Sequence, residues 1–204
     1  TPARHWFNGD VADSANLTLL IDNGMARNSM AGFTDFISLA AENSATIAAT
    51  IRGTTTGNTT GQGIDIESLN SSRGLVNVRS YDQSTVSSTL ISNTLVNPAS
   101  QAISLLASAS SPTDNARVGA TLTSNQFQTP SGALQATSEA DNGNTELRLN
   151  LTGNTSNGEY LLEQLETAPG VAIFTLFDGG GNSPAQNTTG TIGTSATLLD
   201  ITFP

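Results

Sequence analysis

Val118-Gly119-Ala120-Thr121-Leu122-Thr123-Ser124-Asn125 and Leu147-Arg148-Leu149-Asn150-Leu151-Thr152-Gly153-Asn154 share one layout. Aliphatic residues alternate with other residues, then a Thr, a small residue and an Asn close the run. Period-2 alternation puts Val118, Ala120 and Leu122 on one side of a strand, and Leu147, Leu149 and Leu151 likewise. Working outward, Leu90-Ile91-Ser92-Asn93 follows Val86, Ser88 and Leu90 in the same way. Leu20-Ile21-Asp22-Asn23 matches it by residue type. Ile51-Arg52-Gly53-Thr54, after Ile47 and Ala49, and Leu176-Phe177-Asp178-Gly179, after Ala172 and Phe174, are looser members. Counted on the fourth residue, the spacings are 31, 39, 32, 29 and 25. Such periods are the signature of stacked coils. Thr50, Thr89, Thr121, Asn150 and Thr175 fall on the opposite side at one matched position.

A second short apolar pair follows most members: Ile64 and Ile66, Ile103 and Leu105, Leu134 and Ala136. Gly, Ser, Thr and Asn fill the gaps, as turns require. The pattern predicts an all-β chain in which each coil of about 30 residues carries two or three short strands. Over residues 15–178 it resembles a right-handed parallel β-helix, as in pectate-lyase-like enzymes and the passengers of bacterial surface proteins. The resemblance rests on periodicity and turn composition and implies a solenoid of about six coils. The rival architecture is an antiparallel β-sandwich with strands every 8–12 residues. Helix signals are few. Ala40–Ile51 has amphipathic spacing, but its Thr and Ile favour strand, and Glu159–Thr167 admits one or two helical turns.

Sheet edges at solenoid ends require caps. The sequence divides into an N-terminal cap segment (1–14), the coils (15–178), and a Gly-rich loop with a C-terminal strand (179–204). His5-Trp6-Phe7 is the densest aromatic cluster and is expected to plug the N-terminal end. Thr191–Phe203 reads as a final strand that pairs with the last coil or with a neighbouring molecule.

Composition removes several functions. The 204 residues include no Cys and no Lys, so disulfides, cysteine zinc sites, P-loops and catalytic lysines are out. Seven Arg stand against 17 acids, a net charge of −10, which opposes binding to nucleic acid or anionic membranes. No run of 18 apolar residues predicts membrane insertion. Ser (23), Thr (29) and Asn (19) make up over a third of the chain, a composition expected of extracellular β-structure. The start, Thr1-Pro2-Ala3-Arg4, reads as a processed or cut end.

Candidate chemistry is sparse. His5 is the single histidine and is read as capping. Asp65 and Glu67 share one strand face at i and i+2, a spacing that could hold Ca²⁺ or an acid/base pair; a solvated strand face is the favoured reading. Asp10 and Asp13 form a looser pair. Asp178 and its glycines lack the order of a Ca²⁺ loop. Polygalacturonase-like β-helices carry Asn-Thr-Asp, Asp-Asp, His-Gly and Arg-Ile-Lys elements, and none occurs here. Arg73, Arg79, Arg117 and Arg148 lie beside no multi-acid cluster of the pectate-lyase-like kind; Arg117 is expected opposite Glu146 as a cross-strand pair. Thr46, Ala48 and Thr50 with Thr85, Ser87 and Thr89 come closest to an ice-binding array, which charges in later coils interrupt. Asn16, Asn58, Asn70, Asn150, Asn154 and Asn187 open glycosylation sequons.

The expectation is a non-enzymatic extracellular structural or adhesive module, on a cell surface or in a phage fibre. It names no catalytic residue, cofactor or metal. Self-association is expected through the terminal segments, chiefly Trp6, Phe7, Leu198, Leu199, Ile201 and Phe203. The alternatives are a carbohydrate-binding or polysaccharide-degrading β-helix, with Trp6, Tyr81 and Tyr160 for sugar stacking, and an ice-binding protein.

Overall fold

The computed structural model describes residues 7–22, 37–53, 55–57, 64–69, 84–96, 101–128 and 132–203. Strands are numbered in chain order. One seven-stranded sheet holds β1 (Phe7–Val11), β3 (Ile37–Ala41), β6 (Ile64–Leu69), β9 (Ile103–Ala109), β12 (Leu134–Ala140), β15 (Tyr160–Glu166) and β17 (Gln186–Thr189), in that order. A second holds β2 (Asn16–Asp22), β4 (Thr46–Arg52), β7 (Thr85–Ile91), β10 (Asn115–Thr123), β13 (Asn144–Thr152), β16 (Val171–Asp178) and β18 (Gly193–Thr194). A short third sheet holds β5 (Thr55–Gly57), β8 (Thr94–Val96), β11 (Gln126–Gln128) and β14 (Thr155–Ser156). Each coil visits the sheets in turn, and the strand pairings are parallel. This is a β-solenoid, not a sandwich.

Alternation builds the interior. Ile47, Val86, Val118, Leu147 and Phe174 stand in register through five coils of the second sheet. Ile21, Ile51, Leu90, Leu122 and Leu151 form a further column, four residues along each strand. The first sheet answers with Ile37, Ile103, Leu134 and Tyr160, with the backbone of Ile64 in register between Ile37 and Ile103. Leu95 and Phe127 close the third side, fully buried. No coil can bury these side chains alone; stacking at about 4.8 Å pairs the backbones and makes one continuous core.

The corner between the second and third sheets decides where each coil turns. Gly53, Ser92, Ser124, Gly153 and Gly181 all have left-handed backbone there, with φ between 53° and 73°. The residue that follows is Asn93, Asn125, Asn154 or Asn182 in four of them, and these amides form a ladder. Asn93 Nδ2 donates to Asn125 Oδ1 at 2.9 Å, Asn125 to Asn154 at 2.9 Å, and Asn154 to Asn182 at 3.0 Å. Each Nδ2 also donates to a backbone carbonyl, at Ile51, Leu90, Leu122 and Leu151 in turn. Each Oδ1 of Asn125, Asn154 and Asn182 also accepts the backbone N–H of the preceding rung. Buried groups that the turn would orphan are thereby satisfied.

Several expectations are corrected. Among the described residues four coils carry all three strands, where about six were expected. After β16 the third-sheet position is held by a single bridge, Thr155 to Ser183. The match of Leu20 with Leu90 is off by one residue: Ile21 is the inward partner, and Leu20 is 60% exposed. A one-residue slip reverses every face. The last coil is off by two, with Asp178, not Leu176, opposite Leu151, and Phe177, not Thr175, opposite Asn150. The ladder member there is Asn182, not Gly179. Glu159–Thr167 contains strand β15, because Tyr160 and Leu162 face inward and pair with Leu134 and Ala136. Thr191–Phe203 is strand only at Gly193–Thr194.

Replacing Asn125 with Ala removes the buried acceptor of the Asn93 N–H and amide and the donor to Asn154 Oδ1 and the Leu90 carbonyl. We expect a loss of about 3 kcal/mol in urea unfolding, against under about 0.5 kcal/mol for the exposed Gln128→Ala.

Candidate functional site

The C-terminal end of the stack gathers most of the polar chemistry. β16 pairs with β18 only at Thr175 and Leu176, so its earlier half is a sheet edge. Side chains of β15 occupy that edge. Gln164 Oε1 accepts the Phe174 N–H at 3.2 Å and Glu166 Oε2 accepts the Ala172 N–H at 3.3 Å. These are the donors an added strand would use. Asp178, read from sequence as part of an acidic loop, closes the ladder instead. Its carboxylate accepts from Asn182 Nδ2 at 2.7 Å, Gly180 N at 2.8 Å and Gln186 Nε2 at 3.0 Å.

Beyond β18 the chain turns back as a strap across the outer face of the second sheet. Leu199 and Asn150 bond reciprocally: the Leu199 N–H donates to Oδ1 at 2.9 Å and Asn150 Nδ2 to the Leu199 carbonyl at 3.0 Å. Arg148 donates through one terminal nitrogen to the carbonyls of Asp200 and Thr202, at 3.0 and 3.1 Å. Ser87 Oγ donates to the Ile201 carbonyl at 2.8 Å. Gly119 lies under Ile201; a Cβ there would collide with the Ile201 carbonyl oxygen. Phe203 covers the Arg148 guanidinium at 4.4 Å from the ring centroid, with Arg117 at 5.8 Å, a favourable placement of cation on aromatic face. Asp200 accepts from the Thr202 hydroxyl and N–H, which holds its carboxyl below the ordinary range.

Leu199, Ile201 and Phe203 are therefore half-buried against their own sheet, while Leu198 points away, 65% exposed. Phe7 opens β1, paired opposite Ile37. Trp6, His5, Arg73, Arg79, Tyr81 and the side chains of Phe7, Asp65 and Glu67 lie outside the described residues. Arg117 stands opposite Glu146 in register, and Glu146 makes a close ion pair with Arg148 at 2.7 Å. Tyr160 cannot stack a sugar. It is fully buried, edge-on to Phe127, and donates to the Ser183 carbonyl. Burial pushes its phenol up to about 12. The sequons at Asn150 and Asn154 are closed by burial; Asn16 and Asn187 are exposed.

A cavity of about 440 Å³ lies beside the third sheet, lined by Gln126, Phe127, Gln128, Thr155, Ser156 and Asn157. Among the described residues its wall holds amides, hydroxyls and the Phe127 ring, and no charged side chain. At the corner between the first and second sheets, Asp10, Asp13 and Glu42 come near one another, with Asn43 donating to Asp13 at 3.1 Å. Among the described residues no three His, Cys, Asp or Glu are placed to hold a metal ion. Sequence reasoning missed Ser87, Gly119 and Arg148 as strap anchors. They share one outward column with Ala48, beside the Thr column, and its signal had no visible partner.

Desolvation, then the charges of Asp10 and Asp13, raise the Glu42 pKa above its usual 4.5. The folded chain holds this proton more tightly than the unfolded chain, so ionisation opposes folding. This part of the stability is complete below pH 4.5 and is lost as the pH rises through the folded-state value. Glu42→Gln should raise the melting temperature at pH 7 and leave it nearly unchanged at pH 4.

Comparison with protein-family models, curated proteins and solved structures found no match to this chain.

Proposed function

We propose that the chain is a non-enzymatic structural or adhesive β-solenoid module that works outside the cell, on a cell surface or in an extracellular or phage fibre. The observation that carries this reading is the stack formed by the described residues. Apolar columns and paired backbones run in register from coil to coil, with ladder amides from Asn93 to Asn182, so that each coil is held by its neighbours. The acidic, Lys-free surface keeps such a rod from sticking to other anions. The occupied β16 edge and the Asp178 closure disfavour open-ended growth by stacking at that end. Self-association then falls to the strap or to the N-terminal end. The finer resemblance, to passengers of bacterial surface proteins rather than to pectate-lyase-like enzymes, belongs to this proposal.

A second reading, carbohydrate binding, is favoured by the uncharged cavity at Gln126, Gln128 and Asn157. Amides and hydroxyls of this kind suit a neutral glycan.

Negative-stain electron microscopy with light scattering over a concentration series tests the first reading. Short discrete rods are expected, and Gln164→Ala combined with Glu166→Ala should promote end-to-end aggregates. Unlimited fibres from the unaltered chain would overturn the closed end. Saturable binding of a neutral oligosaccharide, lost in Gln126→Ala, would favour the second reading; turnover of a polysaccharide would overturn the non-enzymatic one.

A further inference from the structure

We propose that the outer face of the second sheet is a binding groove for an extended peptide, and that its partner in trans is the C-terminal segment of a second copy. The choice of partner rests on the self-association in the proposed function; the groove itself rests on the strap contacts.

The groove reads backbone. Asn150 grips both the N–H and the C=O of Leu199, the bidentate pattern by which an amide side chain recognises an extended residue. Arg148 and Ser87 take three further carbonyls, at Asp200, Thr202 and Ile201. Gly119 supplies the bare patch that lets the chain lie close, and the Arg148 guanidinium seats the aromatic end. Alternate side chains Leu199, Ile201 and Phe203 face the sheet while Leu198 does not. The groove thus suits an extended Leu-x-Ile-x-Phe segment.

The occupant is weakly tied to the molecule that supplies it. The core's satellite residues reach Ile192 but none of the strap, so the interior does not depend on it. Upstream of the strap, β18 holds to the stack through two paired residues. A strap leaving its own groove can enter another molecule's groove and form the same bonds, so exchange costs little apart from association entropy. The tether gives the chain's own strap the advantage in dilute solution.

Two variants of the full chain separate the halves of this interaction. Ile201→Asp with Phe203→Ala spoils the strap and leaves an empty groove. Gly119→Val blocks the groove and leaves a working strap. Each should sediment alone as the unaltered chain does at low concentration, and a one-to-one mixture should form a heterodimer. A fluorescein-labelled peptide of residues 197–204 should bind the strap variant saturably, about 100-fold more tightly than the unaltered chain. It should not bind once Gly119→Val is added. Circular dichroism melts check that each variant keeps its coils. No heterodimer and no peptide binding from folded variants would overturn the proposal. So would peptide binding that survives Gly119→Val.

Discussion

The register of the stack depends on the buried asparagine ladder. Each amide ties one coil to the next twice, through its side-chain oxygen and through a carbonyl on the strand before the corner. Hydrophobic columns alone are permissive, because Leu, Ile, Val and Ala replace one another along them without directional bonds. Hydrogen bonds in a dry interior are directional, and leaving one unmade is costly. The left-handed residue before each Asn puts the amide inside, which explains why Gly or Ser stands there; a β-branched side chain would be strained at that φ.

A ladder of this kind has a problem at its ends, where donors and acceptors face outward in repeating order. The C-terminal end meets it with side chains. Asp178 ends the ladder with an acceptor-only group, and Gln164 and Glu166 fill the places of a missing strand. The backbone of the strap is likewise engaged, by side chains rather than by a neighbouring strand. All three devices use polar side chains where a further coil or strand would otherwise bond, so an end is satisfied without inviting another chain.

The strap changes what the outer face of the second sheet can do. Thr50, Thr89 and Thr121 run in one outward column that ends at Asn150. Beside it Ala48, Ser87, Gly119 and Arg148 form a second column. Asn150 and, from that second column, Ser87, Gly119 and Arg148 seat the strap. An ice-binding reading counts them as defects, and the contacts give them a use.

Much of the architecture was legible in the sequence because it is local. Period-2 alternation, small residues at corners and an Asn at a recurring position are each set within a few residues, and they determined strands, inward faces and coil turns without any partner in view. What they left open was alignment between coils. Leu20 and Leu90 sit in the same four-residue string, yet the buried neighbour of Ile51 is Ile21, and only packing decides between them. Glu159–Thr167 was ambiguous alone and became a strand because β12 and β17 flank it. The fate of residues 195–203 lay wholly in the tertiary structure. An alternating Leu, Ile and Phe segment pairs as a strand wherever an edge is open, and here Gln164 and Glu166 had closed the edge while Gly119, Arg148 and Asn150 offered a face.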